Sequence, residues 1–130
     1  MVKLSIVIPA YNEEKRIGKT LEAYSVYFEK LREDGILDYE ILVVINNTRD
    51  RTEEIVREIQ KKNRRIRYLN FKQSGKGFAI IEGFREALKG NFDFIGFVDA
   101  DMATSPEAFY DLIKHIERFD GAIASRWVRG

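Results

Sequence analysis

At 130 residues the chain is long enough for one domain with a real core and short for a complete two-substrate enzyme. Hydrophobic residues make up 45% and charged residues 33%, which excludes a disordered chain, and 22 basic against 21 acidic side chains, a net charge of +1, argue against nucleic acid or an anionic membrane as partner. With no cysteine there is neither a disulfide framework nor a thiolate metal site, which fits a cytoplasmic protein.

The first apolar run, residues 4–8, ends at Pro9 and is too short for a signal peptide or a membrane span. The expectation is a chain without a transmembrane segment, cytoplasmic, with any contact to the cytoplasmic membrane face peripheral. Further β-branched runs follow at residues 40–45, 65–69, 94–98 and 121–124, and amphipathic stretches at 13–31, 52–62, 77–89 and 106–119 lie between them. Asp50 is placed to cap the second helix, Ser74 the third, and Ser105 followed by Pro106 the fourth. Residues 32–38 read as a longer loop. Continuous hydrophobic strands alternating with helices predict an α/β fold, a parallel sheet of about five strands with helices on both faces and right-handed crossovers.

Open α/β sheets bind ligands at the carboxyl ends of their strands, so the segments that follow the strands carry the functional information. They read "PAYNEE", "NNTRDRT", "NFKQSGKG", "DADMATSP" and "SRWVRG", and together supply carboxylates, amides, a lysine and arginines. One shared site is the economical reading. Asp99 and Asp101 are two residues apart, so on an extended chain both side chains face the same way. Two such carboxylates repel unless a cation lies between them, and Mg²⁺ or Mn²⁺, hard ions usually shared with phosphate oxygens, resolves the conflict. The bland reading is that Asp101 starts a turn and Asp99 caps backbone amides. Lys76, in a turn where Gly75 and Gly77 permit close backbone approach, and Arg126, after the fifth strand, are the candidate phosphate-binding cations.

Other features point to packing or solvent. His115, the single histidine, has no second ligand at metal spacing and reads as solvated. Trp127 suits either ligand stacking or packing of a C-terminal tail. The charge run 61–67 reads as a solvated helix end. A dinucleotide-binding fingerprint is excluded because "PAYNEE" contains no glycine, and a P-loop because Lys76 is followed by Gly77.

"LSIVIPAYNEE", "YEILVVINNTRDRT", "GKGFAIIEGFREAL", "FVDADMATSPEAF" and "AIASRWVRG" resemble, in order and over nearly the whole chain, the successive motifs of the inverting family 2 glycosyltransferases, most closely the polyprenyl-phosphate branch of dolichol-phosphate mannose and glucose synthases. The resemblance implies a glycosyltransferase A fold of which residues 1–130 form the nucleotide-sugar-binding part. It implies that the segment of Pro9, Ala10, Tyr11 and Glu13 wraps the nucleoside. It implies that Asp99 lies near ribose and metal, that Asp101 binds metal and diphosphate, that Arg126 holds phosphate, and that Lys76 is a softer phosphate assignment. The implied reaction transfers mannose or glucose from a GDP- or UDP-hexose, with inversion, to an acceptor such as a polyprenyl (dolichyl) phosphate. That acceptor is already anionic and needs little general-base help.

There are two departures. Relatives commonly carry "DDGS" after the second strand, where this chain has Ile45, Asn46, Asn47 and Thr48; isoleucine accepts no hydrogen bond from a base, and Asn46 is the candidate to replace the missing aspartate in part. Family catalytic domains also continue well beyond the fifth strand, so the chain reads as shortened relative to the family. The competing expectation is a non-catalytic nucleotide-sugar-binding module, or a split subunit, that self-associates or needs a C-terminal partner.

Overall fold

The computed structural model describes residues 1–118 and 127–129. Among the described residues nine elements alternate: β1 (Val2–Ala10), α1 (Ile17–Glu33), β2 (Leu37–Asn46), α2 (Thr52–Lys62), β3 (Ile66–Phe71), α3 (Lys76–Ala87), β4 (Phe94–Phe97), α4 (Pro106–Arg118) and β5 (Trp127–Arg129). They form one sheet in the order β3-β2-β1-β4-β5. The first four strands are parallel, with Ile6 beside Ile41, Leu4 beside Phe94 and Val43 beside Tyr68.

A strand, β5, forms within the segment read from the sequence as following the fifth strand. β5 runs antiparallel to β4, with Trp127 beside Gly96, so the parallel part of the sheet has four strands. The strand expected at 121–124 lies outside the described residues.

Alternation along the two central strands sorts the core. Leu4, Ile6 and Ile8 of β1 and Tyr39, Ile41, Val43 and Ile45 of β2 face a large cluster that also contains Leu21, Tyr24 and Phe28 of α1, Val56 of α2 and Phe109 and Ile113 of α4. Val7, Leu42 and Val44 face the other way, onto Ala79 and Ala87 of α3. Three helices therefore cover one face and α3 covers the other. The strand order accounts for α1, α2 and α3: β1, β2 and β3 progress in one direction, whereas β4 returns to the far side of β1, and a right-handed crossover must then pass over the opposite face; α4 leads to the antiparallel β5, where no crossover rule applies. Gly83 lets α3 approach closely, since a methyl group there would collide with Val7 Cγ1 and lie 3.0 Å from Val44 Cγ2.

Helix ends follow local chemistry. α1 ends at Glu33, and the Ile36 amide donates to the Leu31 carbonyl and the Gly35 amide to the Arg32 carbonyl, each at 3.0 Å, with Gly35 left-handed at φ 74°. This is a Schellman closure, and it shrinks the loop expected over 32–38 to residues 34–36. Ser105 caps α4, its Oγ accepting the Ala108 amide at 3.1 Å. Asp50 accepts the Thr52 amide at 2.9 Å from the position before the N-cap residue Arg51, and neither Arg51 nor Gly75, the N-cap residues of α2 and α3, caps its helix with a side chain, so the cap expected from Ser74 does not form. The charge run 61–67 divides: Lys61 and Lys62 close α2, while Arg65 pairs with Asp38, and Arg67 with Glu40 at 2.9 Å and with Glu86 at 3.3 Å. Its second half therefore ties β3 to its neighbours rather than dressing a helix end.

Candidate functional site

In this strand order β4 lies beside β1, and the loops that follow the two strands leave the same end of the sheet. A crevice opens between them, where doubly wound folds place ligands. An open cleft of about 570 Å³ lies there, lined by Pro9, Ala10, Tyr11, Glu13, Asn46, Lys76, Asp99 and Asp101, the eight described residues singled out in the sequence, together with Arg16, Ser74, Gly75 and Ala100. Arg126 lies outside the described residues. His115 is an exposed residue of α4 and does not line the cleft.

One wall is built by the loops after β1 and β2, which exchange hydrogen bonds along their length. The Asn12 amide donates to Thr48 Oγ1 at 3.3 Å, the Glu13 amide to Thr52 Oγ1 at 2.9 Å and the Glu14 amide to Asp50 Oδ2 at 3.1 Å. In return the Arg49 amide donates to Asn12 Oδ1 at 3.0 Å and the Arg51 amide to Glu14 Oε2 at 3.3 Å. Burial opposes ionisation of Asp50, but the Thr52 hydroxyl and the Thr52 and Glu14 amides outweigh it and hold its pKa below the ordinary carboxylate range. Asn12 and Asn47 take left-handed backbone, φ 50° and 54°, a conformation asparagine tolerates better than most residues. Glu13 reaches the cleft already paired with Arg16, three residues on. That acid–base spacing was the available signal for Arg16, and it was absorbed into an expected helix.

The opposite wall comes from β4 and the start of α3. Thr20 and Tyr24 of α1 donate their hydroxyls to the carbonyls of Ala100 and Thr104, the latter at 2.6 Å, and so hold the loop after β4 from behind. Within that loop the Met102 amide donates to the Asp99 carbonyl at 3.3 Å and Met102 has φ 60°. The chain therefore turns at Ala100 instead of remaining extended. Alternation of faces does not explain how both aspartates reach the cleft; the turn does. Asp101 Oδ1 accepts the Ala103 amide at 3.0 Å, so the turn role is real and coexists with the position in the cleft.

The cation facing Asp99 is the Lys76 ammonium, which contacts Oδ1. Lys76 opens α3 after Gly75, whose φ of 112° and ψ of 127° suit glycine alone. Asn46, only 3% exposed, donates Nδ2 to the Gly75 carbonyl at 3.1 Å. One Nδ2 hydrogen of Asn46 thus holds Gly75, and that bond does not use Oδ1, the acceptor that would stand in for the missing base-reading aspartate.

Among the described residues no group of three or more His, Cys, Asp or Glu side chains forms a metal cluster. Two carboxylates bordering an open cleft suit an oxygen-loving divalent ion that draws its remaining ligands from phosphate and water, and do not suit a closed protein cage. The donor set fits Mg²⁺ or Mn²⁺ on those terms. No described helix is long and apolar enough to cross a membrane.

The chain matches the family model "Glycosyl transferase family 2" over residues 5–130. It is 39% identical over 118 residues to dolichyl-phosphate beta-glucosyltransferase ALG5C of Trichomonas vaginalis, covering 89% of this chain and 34% of that protein. It is 35% identical over 130 residues to dolichol-phosphate mannosyltransferase of Pyrococcus furiosus, covering 99% and 34% respectively. The chain thus spans about a third of the length of these curated relatives. Its fold is shared with the mannosyltransferase PcManGT of Pyrobaculum calidifontis, solved with GDP-Man and Mn²⁺, at a TM-score of 0.70 and 20% identity over 87% of this chain and 32% of that one. It is also shared with S. aureus TarS 1-349, solved with UDP-GlcNAc, at 0.61 and 21% over 96% and 37%. A parallel α/β sheet of the glycosyltransferase A type, its cleft at the β1/β4 crevice, and a family match over almost its full length together place the chain in glycosyl transferase family 2.

Proposed function

We propose that residues 1–130 form the donor side of a glycosyltransferase that moves mannose or glucose, with inversion, from a GDP- or UDP-hexose to a polyprenyl (dolichyl) phosphate. One observation carries this reading: Asp99, Asp101 and Lys76 share a single cleft with the segment Pro9 to Glu13, so a diphosphate and its nucleoside have adjoining places. The named activities of the Trichomonas vaginalis and Pyrococcus furiosus relatives support the sugar and the lipid acceptor.

The loop after β1 receives the nucleoside, with the Ala10 backbone, the exposed Tyr11 and the Glu13 carboxylate as its contacts. Asp99 and Asp101 hold a divalent cation, Mg²⁺ or Mn²⁺, and Lys76 and Arg126 bind phosphate oxygens. When bound, the cation stabilises negative charge developing on the departing nucleoside diphosphate. The anionic acceptor attacks the anomeric carbon from the opposite side, so this half needs no general base of its own. A lipid acceptor places the protein at the cytoplasmic membrane face, held peripherally.

A second reading is a nucleotide-sugar-binding module that self-associates or works with a C-terminal partner; the cleft at the strand ends serves either reading. Calorimetry separates the possibilities. The chain should bind GDP or UDP in the presence of Mn²⁺, and Asp101→Ala should weaken that binding by about a hundredfold, in line with loss of a charge-assisted contact to a cation. Unchanged affinity in that variant sinks the assignment. Binding by the wild type with no sugar transfer to a lipid phosphate, and recovery of transfer on adding a C-terminal partner, establishes the module.

A further inference from the structure

We propose that Lys76 is a tethered counter-ion that competes with the divalent cation for Asp99, and that a diphosphate releases this competition by drawing the ammonium onto itself. The proposal rests on the reading of Asp99 as a metal-binding residue.

The positions of the groups carry it. Lys76 Nζ contacts Asp99 Oδ1, one of the two oxygens the carboxylate has to offer. A divalent ion approaching that carboxylate meets a like charge beside it. The arrangement is built rather than incidental, because it depends on a backbone conformation at Gly75 that other residues rarely adopt and on the Gly75 carbonyl being held by the nearly buried Asn46. The lysine is also free to leave. Its side chain is 58% exposed and that of Asp99 26%, and an ion pair so open to water is weak.

A phosphate group entering the cleft offers Nζ a new anionic partner at the amino end of α3. There the unpaired amides and the helix dipole favour the same anion. With the ammonium on phosphate, Asp99 presents its full charge to the metal. Coupling of this kind is reciprocal, so the metal raises the affinity for diphosphate by the factor by which diphosphate raises the affinity for metal. Metal alone then binds poorly, and the pair assembles together.

The test is Mn²⁺ binding by the full chain without nucleotide, read from the electron paramagnetic resonance signal of free Mn²⁺. Lys76→Met should bind Mn²⁺ about tenfold more tightly than the wild type, a typical coupling factor, and Lys76→Arg, which keeps the cation, should stay near the wild-type value. Substitution of so exposed a side chain leaves the core intact, which circular dichroism melting verifies. Equal or weaker Mn²⁺ binding in Lys76→Met overturns the proposal, as does the absence of measurable Mn²⁺ binding by both chains. Asp99→Asn should lose Mn²⁺ in either background. If Asp99→Asn keeps wild-type affinity, the metal-binding reading fails and takes the proposal with it. If Asp99→Asn loses Mn²⁺ while Lys76→Met gains nothing, only the counter-ion idea falls.

Discussion

The two walls of the cleft are held by different means. The loops after β1 and β2 are laced by five hydrogen bonds between an amide of one and a side chain of the other. The wall formed by β4 and α3 is anchored through its backbone from behind, by Thr20, Tyr24 and Asn46, while its charged side chains Lys76 and Asp99 pair directly with each other in the open cleft. A nucleoside keeps its shape during transfer and suits a preformed cradle. A diphosphate changes charge and leaves, and suits groups that can exchange partners. The laced wall costs no ordering on binding, whereas the other retains side-chain freedom until ligands arrive.

If that contrast is right, cutting the lacing should cost stability first. Asp50→Ala removes a carboxylate that serves three donors and should cost about 2–3 kcal/mol at neutral pH, measured by urea unfolding. Because the folded pKa of Asp50 lies below its unfolded value, this stabilisation is present above the unfolded value and is lost as pH falls through the depressed one. The gap between wild type and variant should therefore narrow below about pH 4. A gap that persists undiminished at pH 2 would show that the carboxylate charge is not what holds the loops.

On the other wall, Gly75→Ala forces a side chain into φ 112° and should cost about 1–2 kcal/mol. Its larger effect should be on Mn²⁺ and nucleotide affinity, because Lys76 follows directly; unaltered binding would mean that the turn does not set the lysine. Tyr24→Phe, which removes one hydroxyl behind the loop after β4, should cost about 1 kcal/mol and lower the affinity for metal more than for nucleoside. Equal loss for both would blur the distinction between the walls.

Much of the fold was legible because its signals are local. Buried parallel strands read as continuous apolar runs, and Thr52–Lys62 is bounded by its own charges, Glu53 and Glu54 in the first turn and Lys61 and Lys62 in the last. The start of α1 was not legible. Residues 13–16 look helical, yet the Glu13 and Glu14 amides are tied to Thr52 and Asp50, and Arg16 leaves helical backbone at φ −123°, so residues 13–16 form a turn and the helix begins at Ile17. Those partners are 39 and 36 residues away, beyond any local pattern. The short strand β5 escaped for a similar reason, since its three residues carry no local mark of a strand or of which way it runs. The residues around the cleft were named from motif order, but the pairing of Lys76 with Asp99 depends on α3 lying across the other face, which only the strand order reveals.

Gly83 gives that last dependence a mechanical form. It sits seven residues, about 10 Å of helix, from Lys76 and sets the height of α3 above Val7 and Val44. A methyl group there would prop the helix off the sheet and carry its first residue with it, so the reach of the lysine is gauged by a glycine that touches no ligand. Helix height is thus a tuning screw for the charge balance of the cleft, and alanine at position 83 should alter metal affinity while every residue lining the cleft stays the same.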